Sequence, residues 1–465
     1  MKMKKIILLL TLVITFYSCE DSLDRLPNDS LVSDTAYRTV DDLNLGLNGV
    51  FSFYTQRNII TFSSIFTDES KIGRDNGGQQ VNLYNQVLES GEANANAVWN
   101  GHYAVIARAN RIIAAAEGIT PDASELVRYN NIVGQCYAIR ALCHLDLLNH
   151  YTVDPTDLTS LAVPYVDIVT DQGLPRNTVQ EVRDGILADL DVAGTKISNT
   201  SLNFATDNFL EFVRAKLYLF TGSYSQALAS AQLLIDEVPL ATASEYASIF
   251  DDTSTAEIIF SRLRTNAEVF MGGTWYFTGT GGAFMEMSNK MYNALDPNDV
   301  RTNVLFDQAN SDPANDFHLI NKYPGSSGLL FFNQEKNMRI SEMYLIKAEA
   351  QARLGNFGDA AQTIKVLRDN RYVAGTEPGL DVYANMAQAA VAILAERNLE
   401  LGYEGHRYVD LKRLRFDTNT GIVRNPLDCG GSVPCEVGIT DHRFVLPIPQ
   451  QEVDTNTSMI QNPVY

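Results

Sequence analysis

The sequence has little of what metal or nucleophile chemistry requires. Its six histidines are scattered, with no pair four residues apart, and no cysteine or carboxylate accompanies them at metal-ligand spacing. A G-x-S-x-G nucleophile turn is absent, and the GTGG within residues 271–284 lacks the strand-to-helix context of a phosphate loop. The sequence therefore predicts no metal site and no cofactor, and it leaves catalysis unsupported.

Basic residues are scarce as well. The chain of 465 residues has 36 Lys and Arg against 56 Asp and Glu, which gives a net charge of −20. Such a charge argues against binding to nucleic acid or to an anionic membrane surface. With 45% hydrophobic and 20% charged residues, the composition is that of a folded globular protein.

A long apolar run stands at the N-terminus. Residues 1–18 contain three lysines followed by an apolar stretch from Ile6 to Ile14, which predicts a secretory signal. Cys19 follows directly, so we expect lipoprotein processing with Cys19 as the acylated first residue. A plain secretory signal with an unmodified Cys19 is the alternative. Removal of the signal and its three lysines would shift the net charge from −20 to −23.

The other four cysteines predict structural roles. Cys136 and Cys143 lie seven residues apart on one predicted helix, about 10.5 Å along its axis, so they cannot pair and are expected in the core. Cys429 and Cys435 flank the short segment GGSVP, where we expect a disulfide that acts as a staple.

Two stretches, residues 209–236 and 338–371, predict helical hairpins. In each, apolar side chains recur at three- and four-residue spacing, and a glycine, an aromatic residue and small alanines stand at the same offsets. This pattern is typical of tetratricopeptide-like units, which bury their core by stacking. The copies are 133 positions apart, so we expect other structure to fill the space between them. The corresponding residues are Ala215, Gly222, Tyr224 and Ala227, and Ala348, Gly355, Phe357 and Ala360.

The remaining pattern predicts a mainly α protein. One domain is expected over residues 19–465, with a helical part at 19–244, a loop-rich lobe at 245–335 and a C-terminal part at 336–465. A strand is predicted at 257–260 and a long surface loop with short helical pieces at 67–96. Further helices are predicted at 33–54 (capped by Ser33 or Asp34), 97–118, 125–151, 178–192 and 386–401.

Charged residues crowd the stretch from Ala395 to Arg413. A hydrolase would use two of Glu396, Glu400 and Glu404 as an acid and base pair. An ion-pair network that fastens this helix and the following turn, with Arg407 as one cation, is the favoured interpretation. Arg140, inside the 125–151 helix, is expected to be the buried partner of an acid.

Aromatic and polar residues in two regions are candidate ligand contacts. Trp275 and Tyr276 lie in a glycine-rich segment, where flat rings suit the apolar faces of sugars. Trp99 and Asn100 stand near a helix start behind the polar loop that holds Arg74. For both tryptophans, packing in the protein interior is the favoured interpretation, and ligand contact is the alternative.

Together these segments resemble the SusD/RagB family of nutrient-binding lipoproteins. The resemblance rests on RISEMYLIKAEAQARLG (339–355), on AERNLELGYEGHRYVDLKR (395–413) and on the C-terminal FVLPIPQQEV. It implies a SusD-like helical scaffold with a ligand-facing lobe, a glycan or peptide ligand, and no enzymatic activity. It also implies a SusC-like TonB-dependent transporter as partner and an outer-membrane location. The acids at Glu20, Asp21 and Asp24 are similar to a signal for display on the outer face.

The leading hypothesis is thus a lipid-anchored surface protein that captures a nutrient and delivers it to a transporter. An envelope assembly scaffold without a small ligand is the second hypothesis. A surface glycoside hydrolase is the third.

Overall fold

The computed structural model describes residues 36–465, so the predicted signal and Cys19 lie outside the described residues. The helices are α1 (Val40–Phe53), α2 (Arg57–Phe66), α3 (Val81–Tyr84), α4 (Ala93–Ala116), α5 (Leu126–Tyr151), α6 (Val179–Gly194), α7 (Asp207–Phe220), α8 (Tyr224–Glu237), α9 (Tyr246–Phe250), α10 (Asn289–Tyr292), α11 (Arg301–Leu305), α12 (Ile340–Arg353), α13 (Phe357–Asp369), α14 (Met386–Glu400), α15 (Arg407–Thr418) and α16 (Gln450–Thr455). The strands are β1 (Ser70–Ile72), β2 (Ile258–Arg262), β3 (Met285–Met287), β4 (Gly325–Ser326), β5 (Leu329–Leu330), β6 (Glu335–Arg339), β7 (Ile422–Val423) and β8 (Glu436–Val437). The mainly α prediction is confirmed.

The long helices form one continuous stack. Each helix from α4 to α8 packs on the next, and α8 then packs directly against α12, which contacts α13 and α14. The expectation that other structure separates the two hairpins is therefore wrong. The 245–335 segment leaves the stack after the first hairpin and returns before the second, so separation along the chain does not become separation in space.

Both hairpins have the predicted local structure. Gly222 and Gly355 adopt left-handed φ values of 75° and 83°, which end α7 and α12 at a turn that a residue with a Cβ would strain. Ala227, Ala348 and Ala360 are fully buried, and their small side chains allow neighbouring helix backbones to approach closely.

Helix starts depend on side-chain caps. Thr178 forms the predicted cap of α6, in a capping box with Glu181. The first helix, however, begins at Val40, where Thr39 and Asp42 form a capping box, and Ser33 and Asp34 lie outside the described residues. Among the described residues, the helix in the predicted 33–54 segment thus begins at Val40.

The prediction of a surface loop is wrong for the first residues of the 67–96 segment. Asp68 and Glu69 are buried, and Ser70–Ile72 pairs with Met285–Met287 of the lobe as an antiparallel ladder. A polar sequence is buried here because Arg407 and Lys290 bind the carboxylate of Asp68, with nearest distances of 2.7 Å each. Helix α15, whose sequence is densely charged, is not among the helices predicted from the sequence.

The lobe is closed at its base by an antiparallel pair. Strand β2 pairs with β6, with Ile258 opposite Arg339 and Arg262 opposite Glu335. The two chain ends of the lobe therefore meet beside the helical stack. Residues from the helices, the lobe and the C-terminal segment share the main hydrophobic core.

A buried ion-pair network joins the lobe to the C-terminal helices. Glu400 accepts hydrogen bonds from Arg301, Arg339 and Arg371, and Glu404 binds Arg339 and Lys322. Although burial opposes ionisation, these arginines hold the pKa of the Glu400 carboxyl well below its usual range. The network interpretation of this glutamate cluster is confirmed, and its carboxylates are not accessible as an acid and base pair.

Two further sequence predictions concern the interior of α5. Arg140 binds the carboxylate of Asp189 through two hydrogen bonds of 2.8 and 2.5 Å, which confirms its pairing with an acid. Cys136 and Cys143 are free and buried, as expected.

None of the helices in residues 36–465 combines the length and hydrophobicity needed to cross a membrane.

Candidate functional site

A polar cleft of about 440 Å³ opens at the surface of the lobe. Its walls come from three segments that are distant in sequence: residues 71–74, Asn315 and Asp316, and the disulfide loop 427–433. We call this feature the loop cleft. It contains Arg74, one of the ligand contacts proposed from the sequence.

Pairing of β1 with β3 positions the first wall. Gly73 leaves this ladder so close to the lobe that a Cβ atom would lie 2.3 Å from the carbonyl oxygen of Ala283. Its backbone turn carries Arg74 to the surface, where the backbone N–H donates to Glu286 at 2.7 Å. The exposed Arg74 guanidinium donates to the Asn315 carbonyl at 2.5 Å and lies 4.2 Å from the centre of the Phe317 ring.

Opposite charges alternate across the cleft. The Lys71 ammonium lies 2.5 Å from the carboxylate of Asp316 and 3.9 Å from that of Glu286. Burial raises the pKa of Glu286, whereas at the more exposed Asp316 hydrogen bonds from Lys71 and Asn289 outweigh burial and lower the pKa. Asp316 is therefore an exposed, ionised acceptor beside a fixed cation.

The disulfide loop forms the third wall. Cys429 and Cys435 are bonded to each other, with Cα atoms 5.1 Å apart. Asp428, just before the bridge, accepts hydrogen bonds from the backbone and side-chain nitrogens of Asn289 at 2.8 and 2.7 Å, and Tyr84 donates to its carbonyl. These contacts attach the loop to the lobe and leave Leu427 74% exposed at the rim.

The tryptophan and tyrosine of the glycine-rich segment are packed inside the lobe. The indole N–H of Trp275 donates to Ser64 Oγ at 3.1 Å, and the ring is fully buried. The Tyr276 hydroxyl donates to the Ile320 carbonyl at 2.6 Å, and its ring stacks on Phe331. Both polar groups are satisfied internally, so the rings support the lobe in this conformation and do not face solvent.

Trp99 and Asn100 belong to another part of the molecule. Trp99 is 2% exposed and packs against Tyr103 and Tyr151, with ring centres 4.8 and 4.9 Å apart. Its edge lines a separate cavity of about 400 Å³ beside residues 164–174. Asn100 is exposed on α4 and lies in neither cavity. The structure therefore does not bring these residues together with Arg74.

Sequence reasoning missed Lys71, Asp316 and Asp428. Each is a single charged residue in a polar stretch, and only pairing of distant segments brings them to one cleft. In the part of the chain that the structure describes, no group of three or more histidine, cysteine or acidic side chains is arranged to hold a metal ion.

The fold of the chain is similar to the folds of solved protein structures. The fold matches a SusD superfamily protein of Bacteroides thetaiotaomicron with a TM-score of 0.79 and 23% identity, over 91% of this chain and 100% of that one. It also matches a SusD-like carbohydrate binding protein of Bacteroides vulgatus with a TM-score of 0.73 and 18% identity, over 91% and 98% of the two chains. The fold is thus that of the SusD superfamily.

Sequence comparisons agree with this class. The SusD family model matches residues 261–465, and a model described as "Starch-binding associating with outer membrane" matches residues 21–209. SusD-like proteins P2 and P25 of Formosa agariphila are 24% and 23% identical, each over 99% of this chain and 98% of the relative. The chain belongs to the SusD/RagB family.

Proposed function

We propose that this protein is a non-catalytic, cell-surface lipoprotein that binds an oligosaccharide in the loop cleft. The observation that carries the proposal is the convergence of the Arg74 guanidinium, the Asn315 backbone and the Asp316 carboxylate on one open cleft. Planar charged groups and amides of this kind donate to and accept from sugar hydroxyls, and the disulfide loop holds one wall in place. An oligopeptide is the alternative ligand.

The same proposal includes a partner and a location. We expect Cys19 to anchor the chain to the outer membrane, facing the exterior, and a SusC-like TonB-dependent transporter to receive the ligand. The stacked hairpins are the expected contact face, because they form a rigid helical surface. Co-purification from the native envelope with a TonB-dependent transporter is the expected result, and purification without one would contradict this part.

Calorimetric titration with a panel of oligosaccharides and oligopeptides tests the binding site. Arg74→Ala should weaken binding of the ligand that the panel identifies by about tenfold, which corresponds to about 1.4 kcal/mol. The matched control is Arg128→Ala, because Arg128 is also a surface arginine with ion-pair partners, Asp41 and Glu125, but lies on α5. Equal affinities of the two variants would contradict the assignment to the loop cleft, and release of a shortened product would contradict the non-catalytic role.

A further inference from the structure

A third cavity, of about 430 Å³, lies in the helical stack. It is bounded by the turn of the first hairpin (Phe220 and Tyr224), the end of α12 (Arg353), helix α15 and residues 153–156. We call it the basic pocket. It shares no lining residue with the loop cleft, so it is a separate site.

Cations outnumber acids in the lining of the basic pocket. Arg353, Lys412, Arg413 and Arg415 face Asp154 and Asp417, in a chain whose overall charge is strongly negative. The charge of Arg353 is matched by Asp417, through hydrogen bonds of 2.9 and 2.6 Å. The charge of Arg413 is matched by the buried Glu349, at 2.8 and 2.7 Å.

Lys412 and Arg415 form no direct ion pair. Neither has a carboxylate oxygen within 4.0 Å among residues 36–465, and Asp154 acts on both only from a greater distance. Lys412 is 4% exposed, and its ammonium donates to the carbonyls of Asn149 (2.8 Å) and Thr152 at the end of α5. Burial and the neighbouring Arg415 lower the pKa of Lys412 to about 7, and the charge of Asp154 opposes this shift only in part.

The carbonyls at the end of α5 fix the ammonium in place. They carry the partial negative charge of a helix C-terminus, which compensates the lysine only in part. An ammonium group has three N–H donors, and two are used by these carbonyls. The third donor is left for a further acceptor.

Three aromatic rings also line the pocket. Guanidinium groups lie over three rings: Arg353 over Tyr224 at 5.5 Å, Arg413 over Phe220 at 4.8 Å and Arg415 over Phe416 at 4.3 Å. Phe416 is 60% exposed, so an apolar group that enters the pocket would cover a large ring that now faces solvent.

From this arrangement we infer that the basic pocket binds an organic carboxylate that carries an apolar group. The carboxylate accepts hydrogen bonds from Lys412 and Arg415, and the apolar group packs on Phe416 and Tyr224. The C-terminal residue of a peptide and a free carboxylic acid share this chemistry.

Titration of the full chain with matched probes tests the inference. N-acetyl-phenylalanine should bind, and N-acetyl-phenylalaninamide, which has the same ring without the charge, should bind at least tenfold more weakly. Equal binding of acid and amide, or no binding of the acid, would overturn the inference. A tripeptide that ends in phenylalanine identifies the source: tighter binding than the single residue indicates a chain terminus, and equal binding indicates a small acid.

Variants locate the binding. Lys412→Met should reduce affinity for the acid at least tenfold. If that variant fails to fold, Arg415→Gln, which leaves the buried lysine in place, is used instead and should show the same reduction. Lys365→Met is the matched control, since Lys365 pairs with Asp369 on the surface of α13. Arg74→Ala should leave acid binding unchanged, so failure at the loop cleft and failure at the basic pocket are distinguishable. Loss of acid binding in either control would contradict the location.

Discussion

Glu69 is a buried carboxyl group with one unpartnered oxygen. Its Oε1 accepts a hydrogen bond from the backbone N–H of Tyr403 at 2.9 Å, while its Oε2 has no partner among the described residues. Burial raises its pKa from about 4.5 to about 8. The adjacent Asp68 has the opposite shift: burial opposes ionisation there as well, but Arg407 and Lys290 outweigh it and lower the pKa. The pKa values of these neighbouring carboxyls thus shift in opposite directions, because only Asp68 is in direct contact with two cations.

We predict that Glu69→Gln changes how stability depends on pH. Between about pH 4.5 and pH 8 the unfolded chain releases this proton while the folded chain keeps it, so the free energy of unfolding of the natural protein falls as pH rises through that window. The variant lacks this pH dependence. The difference between its free energy of unfolding and that of the natural protein should therefore shift by a few kcal/mol in favour of the variant between pH 5 and pH 8. Urea unfolding at both pH values measures the difference, and an equal difference at both would contradict the prediction.

Glu400 tests the ion-pair network. Glu400→Gln should lower the free energy of unfolding by about 3–5 kcal/mol, because it leaves three buried arginines with one carboxylate too few. Asp369→Asn is the control, since it breaks an exposed pair with Lys365 on one helix face and should cost less than about 0.5 kcal/mol. Similar denaturant midpoints for the two variants would show that the network does not stabilise the fold.

The ion-pair network also shows what the spacing of charged residues in the sequence cannot predict. The spacing of Glu396, Glu400 and Glu404 was enough to predict ion pairing. The partners of Glu400, however, come from Arg301, Arg339 and Arg371, which are 99, 61 and 29 residues away. Spacing along one helix cannot identify cations that the fold brings from other elements.

At the scale of elements, the turn glycines determine how each hairpin folds back. We predict that Gly355→Ala lowers the free energy of unfolding by about 1 kcal/mol, because alanine is strained at a φ of 83° although nothing lies within 4 Å of the added carbon. Gly358→Ala is the matched control inside α13, where the site is also open and alanine favours the helix by about 1 kcal/mol. Thermal unfolding should therefore shift in opposite directions, and a shift in the same direction would refute the conformational argument.

Elements whose sequence has a local signal, such as regular apolar spacing or a capping residue, could be predicted. Elements without such a signal could not. The hairpins, the cap at Thr178 and the strand near residue 258 follow from spacing and capping chemistry within a few residues. Strand β1 and the loop cleft depend on pairing between segments more than 200 residues apart, such as Lys71 with Glu286. A polar sequence such as residues 67–74 gives no local indication that it will be buried or paired.

At the scale of the whole molecule, the N-terminal and C-terminal parts share one interior. Phe62 and Phe66 of α2 pack against Tyr408 of α15, with ring centres 5.0 and 6.0 Å apart, and Arg407 binds Asp68 beside them. The two matched family segments, 21–209 and 261–465, therefore pack against each other and share buried contacts.

We predict that the chain unfolds as a single cooperative unit. Differential scanning calorimetry of the mature protein should give one transition, with calorimetric and van't Hoff enthalpies that agree. A fragment of residues 261–465 should not fold alone, because it would expose the face of α15 that covers α2. Two separate transitions, or a folded fragment, would show that the segments are independent domains.

The pairing of β2 with β6 has a consequence for how such proteins diversify. Because Arg262 and Glu335 lie side by side, the chain between them enters and leaves the helical stack at one point. The entropy of closing a loop changes slowly with its length, so the exposed loops between these positions can gain or lose residues at small cost to the stack. Variation in length is therefore tolerated at the surface of the lobe, whereas lobe residues that bind the helices, such as Arg301, are fixed by their contacts.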